Sequence, residues 1–360
     1  MSGEHPTPVS DERPLLSVKD LAMRFPIRRR GLFARTTGWV HAVNGVSLDI
    51  KSGEVLGLVG ESGCGKTTMG RCIVRSLQPS EGHVNYRQPN GESVDLATLG
   101  TKDLRPLQRQ IRVIFQDPFS SLNPRMTIRQ IVGDPLKAGG LSSGSELEDR
   151  VAAMLTRVGL SPGHMHRYPH AFSGGERQRV NIARALIMEP RLVIADEAVS
   201  ALDVSVRAQV INLLRDLQDE FDLTYLFISH DMSVVENICD RVAVMYLGKI
   251  VEVADTAELY GNPQHPYTEA LLSAVPRPDP RLRGSGRRIR LSDDFPDPAD
   301  PPSGCFFHTR CRYADTDDCV HRRPELRSVA GGHLVACHHA ERLELAAATV
   351  PVDDSRTLSP

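Results

Sequence analysis

Gly60-Glu61-Ser62-Gly63-Cys64-Gly65-Lys66-Thr67 satisfies the pattern G-x-x-x-x-G-K-[ST] at every position. Glycines so spaced let consecutive backbone N–H groups converge on phosphate oxygens, the lysine reaches the terminal phosphates, and the last hydroxyl serves Mg²⁺. Thr68 continues into the start of a helix, whose dipole favours negative charge. A second pair of reactive groups, Asp196-Glu197, closes the apolar run Leu192-Val193-Ile194-Ala195. Carboxylates at the mouth of a buried strand lie where ligands bind open α/β sheets. Asp196 suits Mg²⁺ or its bound water, and Glu197 suits polarisation of an attacking water. An ordinary glycine turn, or Asp-Glu opening a solvated loop, would explain either stretch alone; together they point to nucleotide hydrolysis.

These groups require a strand, a tight loop and a helix in succession. Val55 to Val59 supplies the apolar strand, and Thr67 to Leu77 continues at helical period. Segments 15 to 20 and 42 to 50 have the pattern of half-buried strands in an antiparallel layer, with a basic loop from Arg28 to Thr37 between them. From Asp117 the chain turns helical, which predicts an inserted helical subdomain over about 117–185. An amphipathic helix is expected from Val180 to Met188, then strands at Leu192 to Ala195 and Leu223 to Ile228. Strands alternating with helices give an α/β core with a mainly parallel sheet.

The remaining composition excludes several classes. Hydrophobic residues make up 40% and charged residues 24%, as in an ordinary globular protein. A formal net charge of -2 gives no bulk attraction for nucleic acid. No apolar run reaches about 18 residues, and the first 14 residues lack the apolar core of a signal peptide. The expectation is a cytoplasmic protein that relies on other chains for any membrane crossing.

Phe172-Ser173-Gly174-Gly175-Glu176-Arg177-Gln178 narrows the reading. With the phosphate loop upstream and Asp196-Glu197 downstream, it resembles the signature of ABC ATPases. That resemblance implies a P-loop α/β core with an antiparallel layer and helical subdomain, binding ATP and Mg²⁺ between two nucleotide domains closed head to tail. Ser173, Gly174, Gly175 and Glu176 would then face the ATP of a partner subunit. By the same resemblance Gln116 matches the Q-loop glutamine, near Mg²⁺ or water, that couples to a membrane partner. Ser200-Ala201-Leu202-Asp203 matches the D-loop at the opposite subunit, and His230 the switch histidine near the γ-phosphate. Phe25 and Trp39 both lie where the family stacks an aromatic ring on adenine. The family more often has Leu and Gln where this chain has Phe172 and Glu176, so Glu176 places an unexpected negative charge beside a phosphate site.

His265-Pro266-Tyr267-Thr268, then Leu271-Leu272 and Pro276, resembles the C-terminal segment of oligopeptide and dipeptide importer ATPases. Gly31-Leu32-Phe33 and Val40-His41-Ala42-Val43-Asn44-Gly45-Val46-Ser47 are similar to the second, F-type ATPase of such systems. The resemblance implies a transport ATPase on the cytoplasmic face of the inner membrane, paired with a paralogous or identical ATPase. Its further partners would be two transmembrane permeases and, indirectly, an extracytoplasmic binding protein. Nickel and glutathione importers share these segments, and soluble ABC ATPases are the alternative class.

On this reading the ATPase domain spans 15–270 and a C-terminal Cys-rich module 271–345, with tails at 1–14 and 346–360. A Pro-rich linker is expected over residues 276 to 304. The module carries Cys305, Cys311, Cys319 and Cys337, four of the seven cysteines. Cytosolic placement argues against stable disulfides, and no Cys-x-x-Cys of zinc-ribbon type occurs. In related importer ATPases the equivalent Cys-x-Phe-His-x-Arg-Cys segment is associated with a four-iron cluster, for which four thiolates are suitable ligands. Zinc with His308 or His338, or simply buried thiols, stay open. Cys64, Cys72 and Cys239 are expected in packing roles.

Overall fold

The computed structural model describes residues 13–28, 36–117, 121–275, 289–292 and 294–347. The Gly31 to Phe33 segment and residues 276–288 and 293 of the expected linker lie outside them. The chain opens with two long antiparallel strands, β1 (Leu16–Arg28) and β2 (Thr36–Ile50), followed by β3 (Val55–Val59), whose five residues are all buried. After the phosphate loop come α1 (Lys66–Ile73), β4 (Glu81–Arg87), β5 (Ser93–Asp95), α2 (Thr101–Gln108) and β6 (Ile111–Ile114). The helical subdomain contains α3 (Ile128–Ala138), α4 (Gly144–Arg157) and α5 (Gly174–Leu186). The chain then returns through β7 (Leu192–Asp196), α6 (Val204–Phe221), β8 (Thr224–Ser229), α7 (Met232–Ile238), β9 (Arg241–Tyr246) and β10 (Lys249–Asp255). Short helices α8 (Thr256–Gly261), α9 (Pro266–Ser273) and α10 (Asp318–His321) precede the two-residue strands β11 (Arg327–Ser328) and β12 (Leu334–Val335).

Two sheets result. The smaller is antiparallel, in the order β2-β1-β4-β5. The larger runs β11-β12-β10-β9-β3-β8-β7-β6, parallel from β9 to β6 and antiparallel beyond. β3 lies between β8 and β9, so the phosphate loop emerges from mid-sheet, at the carboxyl ends of the parallel strands. Apolar residues on both faces of β3, β7 and β8 suit a sheet covered on both sides. One buried cluster, including Leu56, Leu58, Met69, Ile194 and Ile228, lies toward the antiparallel layer. A second continues into the helical subdomain through Ile131, Val151, Val180 and Leu214.

Several expected boundaries move. The helix after the phosphate loop ends at Ile73 rather than Leu77, because Arg75 adopts a positive φ of 58° and turns the chain. The helix expected from Val180 begins at Gly174. Its start is a capping box: Ser173 Oγ accepts the Glu176 N–H, and the Glu176 carboxylate accepts the Ser173 N–H. The pattern S-x-x-E carries this signal in the sequence, and the Gly174-Gly175 pair masks it. Thr127 and Gln130 cap α3 in the same way.

The C-terminal segment is sewn onto the core. β12 hydrogen-bonds with β10, and Glu252 of β10, fully buried, accepts bonds from the Gln264 N–H (2.6 Å), the His265 N–H (3.1 Å) and the His333 ring (2.7 Å). Ala346, expected to open the tail, donates its N–H to Glu269 at 2.9 Å. Among the described residues, no helix is long and apolar enough to cross a membrane.

Candidate functional site

Left-handed backbone at Gly60 (φ 148°), Gly63 (φ 84°) and Gly65 (φ 111°) bends the loop between β3 and α1. A Cβ at Gly60 would come within 2.1 Å of the Met245 carbonyl oxygen, and one at Gly65 within 2.0 Å of that of Ala42. Only glycine allows both the turn and the approach. Buried Lys66 donates from Nζ to the carbonyls of Gly60 (2.7 Å) and Glu61 (2.9 Å), so its ammonium is held over the loop. Cys64, Cys72 and Cys239 are buried, as their packing roles require.

Strand ends deliver the carboxylates to this loop. Asp196, the last residue of β7, accepts the Thr67 hydroxyl at 2.9 Å. Burial, with the neighbouring Glu197 charge, raises its pKa above the ordinary carboxylate value. A divalent cation at Thr67 and Asp196 would remove that penalty, so the donor set suits Mg²⁺. Glu197 sits at φ 47°, unusual for a residue with a side chain, with its N–H tied to the Ile228 carbonyl at 2.9 Å. Gln116 Nε2 donates to Glu197 Oε2 at 2.7 Å, and His230 Nδ1 lies 3.2 Å from Glu197 Oε1. Three residues distant in sequence thus meet at one carboxylate. Arg207 at the start of α6 pairs with Asp231 at 2.6 Å, which ties the segment after Asp203 to the segment after His230.

Ser173, Gly174, Gly175 and Glu176 form the first turn of α5, with Ser173 exposed and Phe172 buried edge-on against His164. Ser173 gives its N–H and its hydroxyl to Glu176 (2.9 and 2.8 Å), and these bonds lower the Glu176 pKa. Glu176 therefore has a local role that the sequence comparison with the commoner Gln did not reveal. Asp203 caps α6 through its backbone, accepting the Arg207 N–H at 2.8 Å.

Phe25 and Trp39 are both partly exposed, on adjacent strands. Phe25 is opposite Val40, and Trp39 opposite Pro26. Opposed residues share a face and successive ones alternate, so the two rings point to opposite sides of the ribbon. One adenine can meet only one of them.

The four C-terminal cysteines converge. Cys305, Cys311, Cys319 and Cys337 line one small cavity, closed by Phe307, His265 and Leu343. Burial pushes the Cys305 thiol up to about 11 and the Cys337 thiol up to about 12, and in each case neighbouring cysteines add to the shift. His339 Nε2 lies 3.5 Å from Cys319 Sγ and 2.9 Å from Asp315. His308 and His338 instead bond the carbonyls of Cys305 and Arg322.

The fold and this cleft define a P-loop ATPase of the ATP-binding cassette type. Residues 43–200 match the ABC transporter family, and residues 251–319 match the C-terminal region of oligopeptide/dipeptide transporters. The oligopeptide transport ATP-binding protein AppF of Bacillus subtilis is 51% identical over 91% of this chain and 98% of its own. The dipeptide transport ATP-binding protein DppF of Haemophilus influenzae is 47% identical over 92% and 99%. The solved ATP-binding cassette MJ0796, a dimer in a post-hydrolysis state bound to ADP and Pi, is 28% identical with a TM-score of 0.57, covering 67% of this chain and 98% of that one. The chain belongs to the ABC transporter ATP-binding proteins, in the group that carries the oligopeptide/dipeptide transporter C-terminal region.

Proposed function

We propose that this chain is the ATP-hydrolysing subunit of an importer for dipeptides or oligopeptides, acting with a second, paralogous ATPase at the cytoplasmic face of the membrane. The observation that carries this reading is the meeting of Gln116, Glu197 and His230 beside the phosphate loop, in a chain with the peptide-transporter C-terminal region. The loop from Gly60 to Thr68 holds the phosphates, Lys66 neutralises the terminal ones, and Thr67 with Asp196 holds Mg²⁺. Glu197 orients and polarises the water, with Gln116 and His230 fixing its carboxylate. Exposed Ser173 and half-buried Gly175, at a helix start, serve the partner's ATP, and Asp203 packs at the same interface. ATP thereby favours the closed pair, and hydrolysis releases it. Gln116 follows exposed Phe115 at the edge of the helical subdomain, which supports docking of that edge on the permeases.

Co-purification with two permease subunits and the second ATPase, then uptake of defined peptides into proteoliposomes, tests this reading. Uptake of nickel or glutathione but not peptides would reassign the cargo. Failure to assemble with any permease would favour a soluble ABC ATPase.

The cysteine cavity supports a further site. Four sulfur donors in one cavity, those of Cys319 and Cys337 buried and those of Cys305 and Cys311 half-buried, form a soft ligand set, which suits an iron–sulfur cluster more than a hard cation. Cys305, Cys311, Cys319 and Cys337 would hold it, as a structural brace for the C-terminal segment. Iron and sulfide analysis after anaerobic purification decides: a colourless, zinc-loaded protein would make this a zinc site, and a metal-free protein of full stability would leave four packed thiols.

A further inference from the structure

We propose that Arg310 and Tyr267 are positioning residues for ATP, which hold the phosphate loop in its binding form by gripping Glu61. Glu61, the second residue of the loop, is fixed at three points. Its N–H donates to the Tyr267 hydroxyl at 2.7 Å, its carbonyl accepts Lys66 Nζ at 2.9 Å, and its carboxylate takes both Arg310 Nη atoms, at 2.7 and 2.9 Å. Two of these three anchors come from the C-terminal region, more than two hundred positions away in sequence.

Both anchors are themselves fixed. Tyr267 is fully buried against Tyr246 (ring centroids 4.7 Å apart) and Phe307 (5.4 Å). The Arg310 side chain is 4% exposed, donates to the Ser292 carbonyl at 3.1 Å, and lies over the Tyr246 and Phe295 rings. A bidentate guanidinium–carboxylate pair fixes direction as well as distance. Phosphate loops bind through backbone N–H groups aimed at one point. Holding the loop before ATP arrives removes an ordering cost that binding would otherwise meet. The segment from Cys305 to Cys311 carries Arg310, so the order of that segment sets ATP affinity. By linkage, ATP must order the segment in return.

This inference rests on the phosphate-site reading, and the test separates the two. MgATP binding is measured on the full chain, and KM and kcat on the assembled transporter. Arg310→Met and Glu61→Gln should each raise Kd and KM for ATP about tenfold while kcat stays within about two-fold. The double variant should bind no more weakly than either single one, because the buried Arg310 guanidinium costs most when its partner is removed and it is left alone. Tyr267→Phe keeps the ring packing and should raise KM about threefold. MgATP should slow amide exchange across 306–312 in the wild type but not in Glu61→Gln. Additive losses in the double variant, or wild-type KM in Glu61→Gln and Tyr267→Phe, would overturn the proposal, even if Arg310→Met fails to fold. Lys66→Ala must abolish binding on the phosphate-site reading itself. Binding retained there sinks that reading, whereas binding lost there with wild-type affinity in the Glu61 and Tyr267 variants sinks only the positioning role.

Discussion

The Gln116 side-chain amide donates to a Glu197 carboxylate oxygen across 2.7 Å, joining the segment after β6 to the end of β7. These strands are parallel neighbours, so their carboxyl ends, and the residues just beyond them, arrive at the same edge of the sheet. Glu197 then has one oxygen on Gln116 and the other facing His230, an arrangement that fixes the direction of its remaining lone pairs.

Glu197→Gln preserves the size and the bond to Gln116 but removes the base. Turnover should fall by about 10²–10⁴ while MgATP binding persists and a closed dimer accumulates. A turnover assay with sizing in ATP checks this, and hydrolysis at the wild-type rate would remove Glu197 from the base role.

Gly65→Ala should abolish nucleotide binding, and it tests the loop's geometry directly. The added Cβ meets the Ala42 carbonyl oxygen at 2.0 Å and sits at φ 111°, so either β2 or the loop must move. Equilibrium ATP binding and thermal unfolding together read the effect. Gly63→Ala shares the positive φ but meets nothing within 4 Å, so it should fold with a smaller loss.

Glu176 should matter for local stability more than for catalysis. Glu176→Ala removes half of a capping box at a solvated helix start and should cost about 0.5 kcal/mol, at the low end of capping energies because water screens the pair. Glu176→Gln can still accept the Ser173 N–H and should be nearly neutral. Ser173→Ala should cost about 1 kcal/mol and, on the proposed function, also slow turnover by removing a donor to the partner's ATP. Denaturant midpoints and ATPase rates separate the three variants.

The same pair predicts a pH dependence. Hydrogen bonds from the Ser173 N–H and hydroxyl hold the Glu176 carboxyl below its ordinary value of 4.5. The charged carboxylate therefore stabilises the fold fully above pH 4.5, and this contribution fades as pH falls through the lower folded value. The stability difference between wild type and Glu176→Ala should shrink below pH 4.5 and stay constant from pH 6 to 8. A gap that widens on acidification would contradict the capping geometry.

The phosphate loop, the Asp196-Glu197 pair and the signature are legible in the linear chain because their chemistry needs adjacent residues. Glycine spacing, an apolar run and S-x-x-E each act within a few positions. Contacts fixed by packing are not legible in that way. Nothing near Arg310 in sequence marks Glu61 as its partner, and the two-residue strand β12 is too short to show a period. Phe25 and Trp39 look equivalent in sequence, yet the β1–β2 register sends them to opposite faces. His339 is indistinguishable from His338 until the fold places one against Cys319. The sequence by itself determined the class of chemistry and the candidate groups for it, because those groups belong to short local patterns. Only the tertiary structure decided which distant groups restrain them, because burial and strand register act between residues the chain keeps far apart.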